Sequence, residues 1–402
     1  MGSLAIGEPP FGSETAKLAN LSTIPLTLTK TTLLELALSN GLARYKSIQE
    51  CIDDWGFIQA DPIPAPAKAA DVFLFQRVNG YRRGMLEDQY PRLHAEEEYF
   101  CNYGFVSRGL YKTLLGRSFD KPMQIEREHP ETFALAKQWI EGKEDIHPKD
   151  MAQEFGKLSA ANYWGGTSSA WSRILDALHY RQEVRVTQRK GNSRLFSPVQ
   201  HVEDPLDRET QFRKVVEQAL RLYAPMPKKG LAQLIRFCHY GIPHMNPTLA
   251  TAKTHLDALG EFVRIEGEDW YVPHGMEPNW SADSKARILS PFDPIVWDRR
   301  RFELIFGWTY RFEAYTPVAK RQLGYYAMPI LYRGEIPGIA NLSQSGEELI
   351  AEIKTFRDAS SKMRTAVEEE LDRFKLFLGK ESFQATFTRV DIPRFGAEQV
   401  MK

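Results

Sequence analysis

TSSAWSRILDALHYRQEVRVTQRKGNSRLFS, running from Thr167 to Ser197, holds a helix and a hairpin in one unbroken stretch. Trp171, Ile174, Leu175 and Leu178 recur at helical spacing and leave Ser169, Ser172, Arg173 and Asp176 outward, so its first half reads as an amphipathic helix with Thr167 or Ser168 as N-cap. Glu183 to Thr187 and Arg194 to Ser197 alternate like two strands, joined by a turn that includes Gly191-Asn192. Two helical patterns precede them, Phe133 to Ile140 and His147 to Phe155. Three helices and a hairpin are the plan of a winged helix.

The same order is legible on either side. Upstream, a helix starts near Thr31 or Thr32 with Leu33, Leu34, Leu36, Ala37 and Leu38, stops at Asn40-Gly41, and helix resumes from Ser47 through Cys51 and Ile52 to Trp55. A short strand, Gly-Phe-Ile-Gln-Ala-Asp-Pro from Gly56 to Pro62, follows directly, and period-two geometry puts Gln59 and Asp61 on one face. A helix over Ala67 to Val78 comes next, with more helix through Glu96-Glu97-Glu98. Downstream, helices at Val215 to Tyr223, Lys229 to Cys238 and Pro247 to Leu259 precede strands Phe262 to Ile265 and Trp270 to Val272.

Beyond Trp280 the texture changes to short runs at Ala314 to Thr316, Gly324 to Leu331 and Gly338 to Leu342, and then a long charged helix from Glu347 to Leu378. The expected fold is therefore α+β. Three tandem winged-helix motifs occupy 31–128, 129–205 and 206–280, after a flexible segment at 1–30; a small antiparallel β-barrel with a C-terminal helix fills 281–402.

Charge narrows the function classes. The 402 residues carry 52 basic and 52 acidic side chains, so any attraction for a polyanion must come from local clustering. Arg173 to Arg194 holds six basic and two acidic residues, whereas the third wing carries Glu266-Gly267-Glu268-Asp269 and would repel phosphate. Only the second unit looks built to face DNA. Cys51, Cys101 and Cys238 are widely spaced among apolar neighbours, which fits reduced thiols rather than a disulfide. Cys238-His239 with His244 falls short of a four-ligand zinc set, so no metal is expected. The first thirty residues lack a basic start followed by an apolar core, and no run approaches a membrane span, so a cytoplasmic, monomeric protein that joins the nucleoid when bound to DNA is expected.

Three tracts together resemble the AlkZ/YcaQ-type DNA glycosylases, the winged-helix HTH_42 family. They are Gly56 to Pro62; Tyr163-Trp164-Gly165-Gly166-Thr167-Ser168-Ser169 with its hairpin; and Leu289 to Arg301, which contains Ser290-Pro291-Phe292-Asp293-Pro294 and continues through Phe306-Gly307-Trp308, Ala319-Lys320-Arg321 and Gly324-Tyr325-Tyr326. The resemblance covers roughly Thr31 to Leu378. It implies a C-shaped protein that excises alkylated purines from double-stranded DNA and unhooks interstrand crosslinks. Gln59-Ala60-Asp61 matches the aspartate form of the family's catalytic strand, typical of the YcaQ-like branch. The chain departs from many relatives at Tyr99-Phe100-Cys101-Asn102-Tyr103 and Ile339-Ala340-Asn341-Leu342-Ser343, losing ionisable groups that bear on substrate range while keeping Gln59 and Asp61.

Under this reading Gln59 and Asp61 are catalytic. A purine alkylated at N7 or N3 already carries positive charge and needs no protonation to leave, so one of the usual two glycosidase carboxylates is dispensable. Asp61 can stabilise a cationic sugar and accept a proton from water, which the Gln59 amide orients. No lysine lies in that strand, which favours a monofunctional, cofactor-free hydrolase; Lys68 is the nearest amine. Expected DNA contacts are Thr167 and Ser168 at a helix N-terminus, Arg173, the wing residues Arg189, Lys190 and Arg194, one or more of Arg299, Arg300 and Arg301, and Lys320 with Arg321. The competing class is a regulatory or architectural winged-helix protein that binds DNA without cutting a bond.

Overall fold

The computed structural model describes residues 28–119, 121–161, 166–190, 193–200 and 204–392. The expected flexible segment therefore lies almost wholly outside the described residues, as do Tyr163, Trp164 and Gly165 and the turn at Gly191-Asn192.

Four runs of elements follow one another. The first comprises α1 (Lys30–Gly41), α2 (Ile48–Trp55), β1 (Phe57–Gln59), α3 (Ala69–Arg77), α4 (Met85–Gln89), β2 (Ala95–Tyr99), β3 (Tyr103–Ser107) and α5 (Arg108–Thr113). The second holds α6 (Gln124–Glu128), α7 (Pro130–Ile140), α8 (Pro148–Phe155), β4 (Ser159–Ala161), β5 (Thr167–Ser169), α9 (Ala170–Tyr180), β6 (Val184–Lys190) and β7 (Ser193–Pro198). Next come α10 (Arg208–Tyr223), β8 (Met226–Pro227), α11 (Lys228–Phe237), α12 (Lys253–Leu259), β9 (Gly260–Ile265) and β10 (Glu268–Pro273). The last run is β11 (Ala286–Ile288), α13 (Pro294–Trp297), α14 (Arg299–Phe306), β12 (Met328–Tyr332), β13 (Glu335–Ser345), β14 (Glu348–Thr355), α15 (Ser361–Leu378) and β15 (Ser382–Arg389).

Each of the first three runs contains an antiparallel hairpin that follows helices, and in the first run α5 comes after it. β3 sits between β1 and β2, β10 between β8 and β9, and β6 pairs with β7. In the second run Ile146 adds a single bridge to Phe196, each donating its N–H to the other's carbonyl. Side-chain caps fix the helix starts: Thr29 and Thr32 bond reciprocally at α1, and Ser47, Asp207 and Ser360 accept main-chain N–H groups at α2, α10 and α15.

Three expectations are overturned. Glu96-Glu97-Glu98 is strand, not helix, and all three carboxylates are buried. Residues Glu348 to Thr355 form a strand before the last helix begins, because Leu349, Ala351 and Ile353 alternate inward; Leu349, Ile350 and Ile353 also satisfy helical spacing, which hid the break. The last run contains no closed barrel among the described residues. Its five strands lie in the order β11, β12, β13, β14, β15, the final pair being parallel, and α15 makes the long crossover that a parallel pair requires. Met363, Val367, Leu371 and Phe374 of that helix are buried, and α15 packs on β11 and β15.

A continuous apolar core runs through the first three runs and on beneath the last sheet. Helix α1 stands apart from it. Leu33 and Leu36 pack with Ile265, Trp270 and Ile305, and Leu38 with Leu289, Ile295 and Phe302, so the first helix clasps the third hairpin and α14.

Candidate active site

Helix α2 ends at Gly56, whose φ of 71° turns the chain into β1. β1 then pairs with β3, placing Gln59 opposite Gly104, and Ala60 donates its N–H to the Tyr103 carbonyl at 3.0 Å. Gly104 is required by this close approach. A Cβ there would strike the Ile58 carbonyl oxygen and stand 2.5 Å from a Phe57 ring carbon.

The strand stops at Gln59, two residues earlier than its sequence suggested, and Asp61 lies just beyond it. A local turn holds the carboxylate there, because Asp61 Oδ1 accepts the Ile63 N–H at 3.0 Å across Pro62. Both side chains nonetheless line one cleft of about 620 Å³, together with Lys68, Tyr99, Tyr103, Arg189, Arg194, Phe292, Phe312 and Tyr315. Gln59 is 8% exposed and its Oε1 has no hydrogen-bond partner among the described residues. Burial raises the pKa of Asp61 above the ordinary aspartate value, against the smaller opposing effect of the Ile63 N–H.

Arg189 and Arg194 reach this cleft from the second hairpin. Arg189 grips the buried Glu97 carboxylate with two hydrogen bonds of 2.7 and 2.6 Å, and the Tyr103 hydroxyl donates to the same group at 2.7 Å. Burial opposes ionisation of Glu97, yet Arg189 and Tyr103 together hold its carboxyl below the usual range. Arg194 donates to the Tyr103 hydroxyl at 3.2 Å and to Asp176 at 2.5 Å. Neighbouring Glu96 and Glu98 are matched in the same way, by Arg108 and Arg185 and by Arg117. The acidic strand is thus a row of buried anchors for arginines from several elements, a role no local pattern announces. Lys68 Nζ donates to Glu87 at 2.6 Å on the cleft wall.

The other expected DNA contacts do not join Gln59 and Asp61. Thr167 and Ser168 belong to β5, paired with Ala161 and Ala160, so the helix begins after Ser169 and its free amides are not theirs. Arg173 is largely covered, donating to Glu128 and to the Ala161 carbonyl. Lys190 and Lys320 are exposed. Arg321 donates to the Thr316 carbonyl and lies over the Tyr325 ring. Of the arginine triplet, Arg301 is buried and donates to the Tyr223 and Pro294 carbonyls, and Arg299 turns inward to the Pro291 and Val296 carbonyls. Arg300 pairs with Glu268 and Glu303 at the surface. Arg299 and Arg301, expected on a basic patch, are thus turned inward, their guanidiniums bonded to main-chain carbonyls.

Sequence reasoning missed the aromatic side of the cleft. Phe292 falls within a tract already singled out, but nothing near Phe312 or Tyr315 signals that they close on Asp61. Among the described residues no group of three or more His, Cys, Asp or Glu is arranged to hold a metal, and no helix is long and apolar enough to cross a membrane.

A family model described as "DNA glycosylase AlkZ-like" matches residues 52–377. The solved structure of Streptomyces sahachiroi DNA glycosylase AlkZ is similar in fold, with a TM-score of 0.58 at 13% sequence identity, over 90% of this chain and 100% of that one.

Proposed function

Because this chain belongs to the AlkZ-like DNA glycosylase family, we propose that it hydrolyses the N-glycosidic bond of purines alkylated at N7 or N3 in double-stranded DNA, interstrand crosslinks included, as a monofunctional, monomeric enzyme with Gln59 and Asp61 as its catalytic residues. The Asp61 carboxylate faces the positive charge that develops on the sugar and takes one proton from water. The Gln59 amide, both donor and acceptor, orients that water toward the anomeric carbon. As that carbon-oxygen bond forms, the carbon-nitrogen pair leaves with the purine and cancels its charge. The second helix-and-hairpin unit acts as a winged helix on the phosphate backbone, its hairpin carrying exposed Lys190 and the cleft-lining Arg189 and Arg194, and exposed Lys320 adds a further cation.

One observation carries this reading over a purely DNA-binding role: the unpartnered Gln59 Oε1 beside a half-buried carboxylate on the same cleft. An amide and a half-buried carboxylate brought together in one cleft are the groups a hydrolytic step needs and a purely binding surface does not. Asp61→Asn removes charge and almost no volume. It should abolish the alkali-labile abasic sites formed on N7-methylguanine duplex while leaving duplex affinity within about two-fold. Wild-type cleavage by Asp61→Asn would remove the assignment, and borohydride trapping through Lys68 would replace hydrolysis by lyase chemistry.

A further inference from the structure

We infer that Tyr315 is the base-contacting residue of this site, a rigidly presented aromatic face that packs on the positively charged purine and selects for cationic lesions. The inference rests on the glycosylase reading above and adds to it the recognition of the base. Tyr315 is 77% exposed, the most exposed of the large hydrophobic side chains among the described residues, yet it lines the same cleft as Gln59 and Asp61. A solvent-facing tyrosine beside a catalytic carboxylate is unusual in needing no place in the core.

Its surroundings show that it is held in position. Phe312 meets Tyr315 edge-on, with centroids 6.2 Å apart, and is itself packed edge-on against Phe292 and Tyr326 at 5.2 and 5.3 Å. The loop from Glu313 to Gly324 is closed by one buried carboxylate. Glu313 accepts the N–H groups of Gln322, Leu323 and Gly324, and its own carbonyl accepts the Thr316 N–H at 2.9 Å. A loop stapled at its base by three main-chain donors presents its tip with little entropy left to lose on binding. Such order is not spent on a residue that merely drifts in water.

The pairing of Asp61 with Tyr315 selects the partner, because the cleft's Lys68, Arg189 and Arg194 are already bonded to Glu87, Glu97 and Asp176. Asp61 acts across the cleft on Tyr315, raising its pKa together with the larger effect of burial. A planar cation between the two would meet a carboxylate from one side and the negative face of an aromatic ring from the other, the arrangement that favours a charged base over a neutral one. Phe292, Phe312 and Tyr103 complete an apolar and aromatic wall against which a purine can lie.

Single-turnover excision from N7-methylguanine duplex by wild type, Tyr315→Phe and Tyr315→Leu tests this. Tyr315→Phe keeps the ring and should stay within about two-fold of wild type; Tyr315→Leu keeps apolar bulk without the ring and should lose roughly ten-fold in excision rate. Affinity for undamaged duplex and Tm should be unchanged in both, since the side chain stands outside the core. Excision by Tyr315→Leu at the wild-type rate would overturn the inference while leaving the glycosylase reading intact, and so would equal losses in excision and in undamaged-duplex affinity, which would make Tyr315 a general DNA contact. Failure of wild type to release the base would overturn both.

Discussion

Asp61 sits half-buried, and under the proposed assignment the balance at that one carboxylate sets a pH limit on excision. Burial lifts its pKa above the ordinary 3.8, while the Ile63 N–H pulls it partly back. The base must be ionised to take the water's proton, so activity should fall on the acid side at a pH above 3.8. A pH profile of kcat/KM for excision reads this directly, and an acid limb at or below the ordinary aspartate value would contradict it. The stability consequence has the opposite sign from that of a salt-bridged aspartate. A raised carboxyl pKa means that the folded state holds the proton more tightly than the unfolded chain, so the contribution is present at low pH and is lost as pH rises through the shifted value. Asp61→Asn should therefore leave Tm at neutral pH unchanged or slightly higher while removing activity, the usual mark of a site that trades stability for function.

At the scale of elements, β1 reaches only three residues, and its position is dictated by the strand beside it. Gly104 lets β3 approach closely enough for Gln59 to be set at the cleft floor. Gly104→Ala should cost roughly 1–3 kcal/mol through overpacking against Ile58 and Phe57, and kcat/KM should fall by more than the loss of folded protein explains; a variant with wild-type midpoint in urea and wild-type rate would show that the ladder tolerates separation there. This strand also shows what can be read from sequence. Ser47 and Trp55 announce a helix and its end, but Gln59 and Asp61 reach a common cleft by different means, Gln59 from the last position of β1 and Asp61 from the turn that follows, so strand spacing does not account for the pair. Glu96, Glu97 and Glu98 could not be read in the same way. Their strand is stabilised by Arg108, Arg185, Arg189 and Arg117, partners 12 to 92 positions away, and local propensity carries no trace of such pairings. The inward turn of Arg299 and Arg301 was hidden for the same reason, since it is settled by the carbonyls the rest of the molecule places opposite.

Across the whole molecule, the run that carries β1 is locked to the last run by a buried ion pair. Arg77 of α3, fully buried, holds Asp293 with hydrogen bonds of 2.8 and 3.1 Å, donates to the Phe73 and Gly41 carbonyls, and lies 3.9 Å from the centroid of the Phe73 ring. Asp293 caps α13 by accepting the Ile295 N–H, and its neighbour Phe292 lines the cleft. A second polar contact lies alongside, where buried Glu370 of α15 accepts from the Gln76 side chain and the Ile288 N–H. The tract from Ser290 to Pro294 and the run that carries β1 are thus one structural unit, and Phe292 is fixed through it on the wall of the cleft that Gln59 and Asp61 also line. Breaking one side leaves an uncompensated charge in the interior, so Asp293→Ala should destabilise the protein by roughly 3–5 kcal/mol. Asp293→Asn keeps an acceptor for Arg77 and the cap to Ile295, and should cost less. A double-mutant cycle of Asp293→Ala with Arg77→Met in urea should give a coupling energy of at least about 2 kcal/mol, the double variant recovering part of the loss because no lone charge remains. If Asp293→Ala unfolds within about 1 kcal/mol of wild type, the pair does not hold the two runs together.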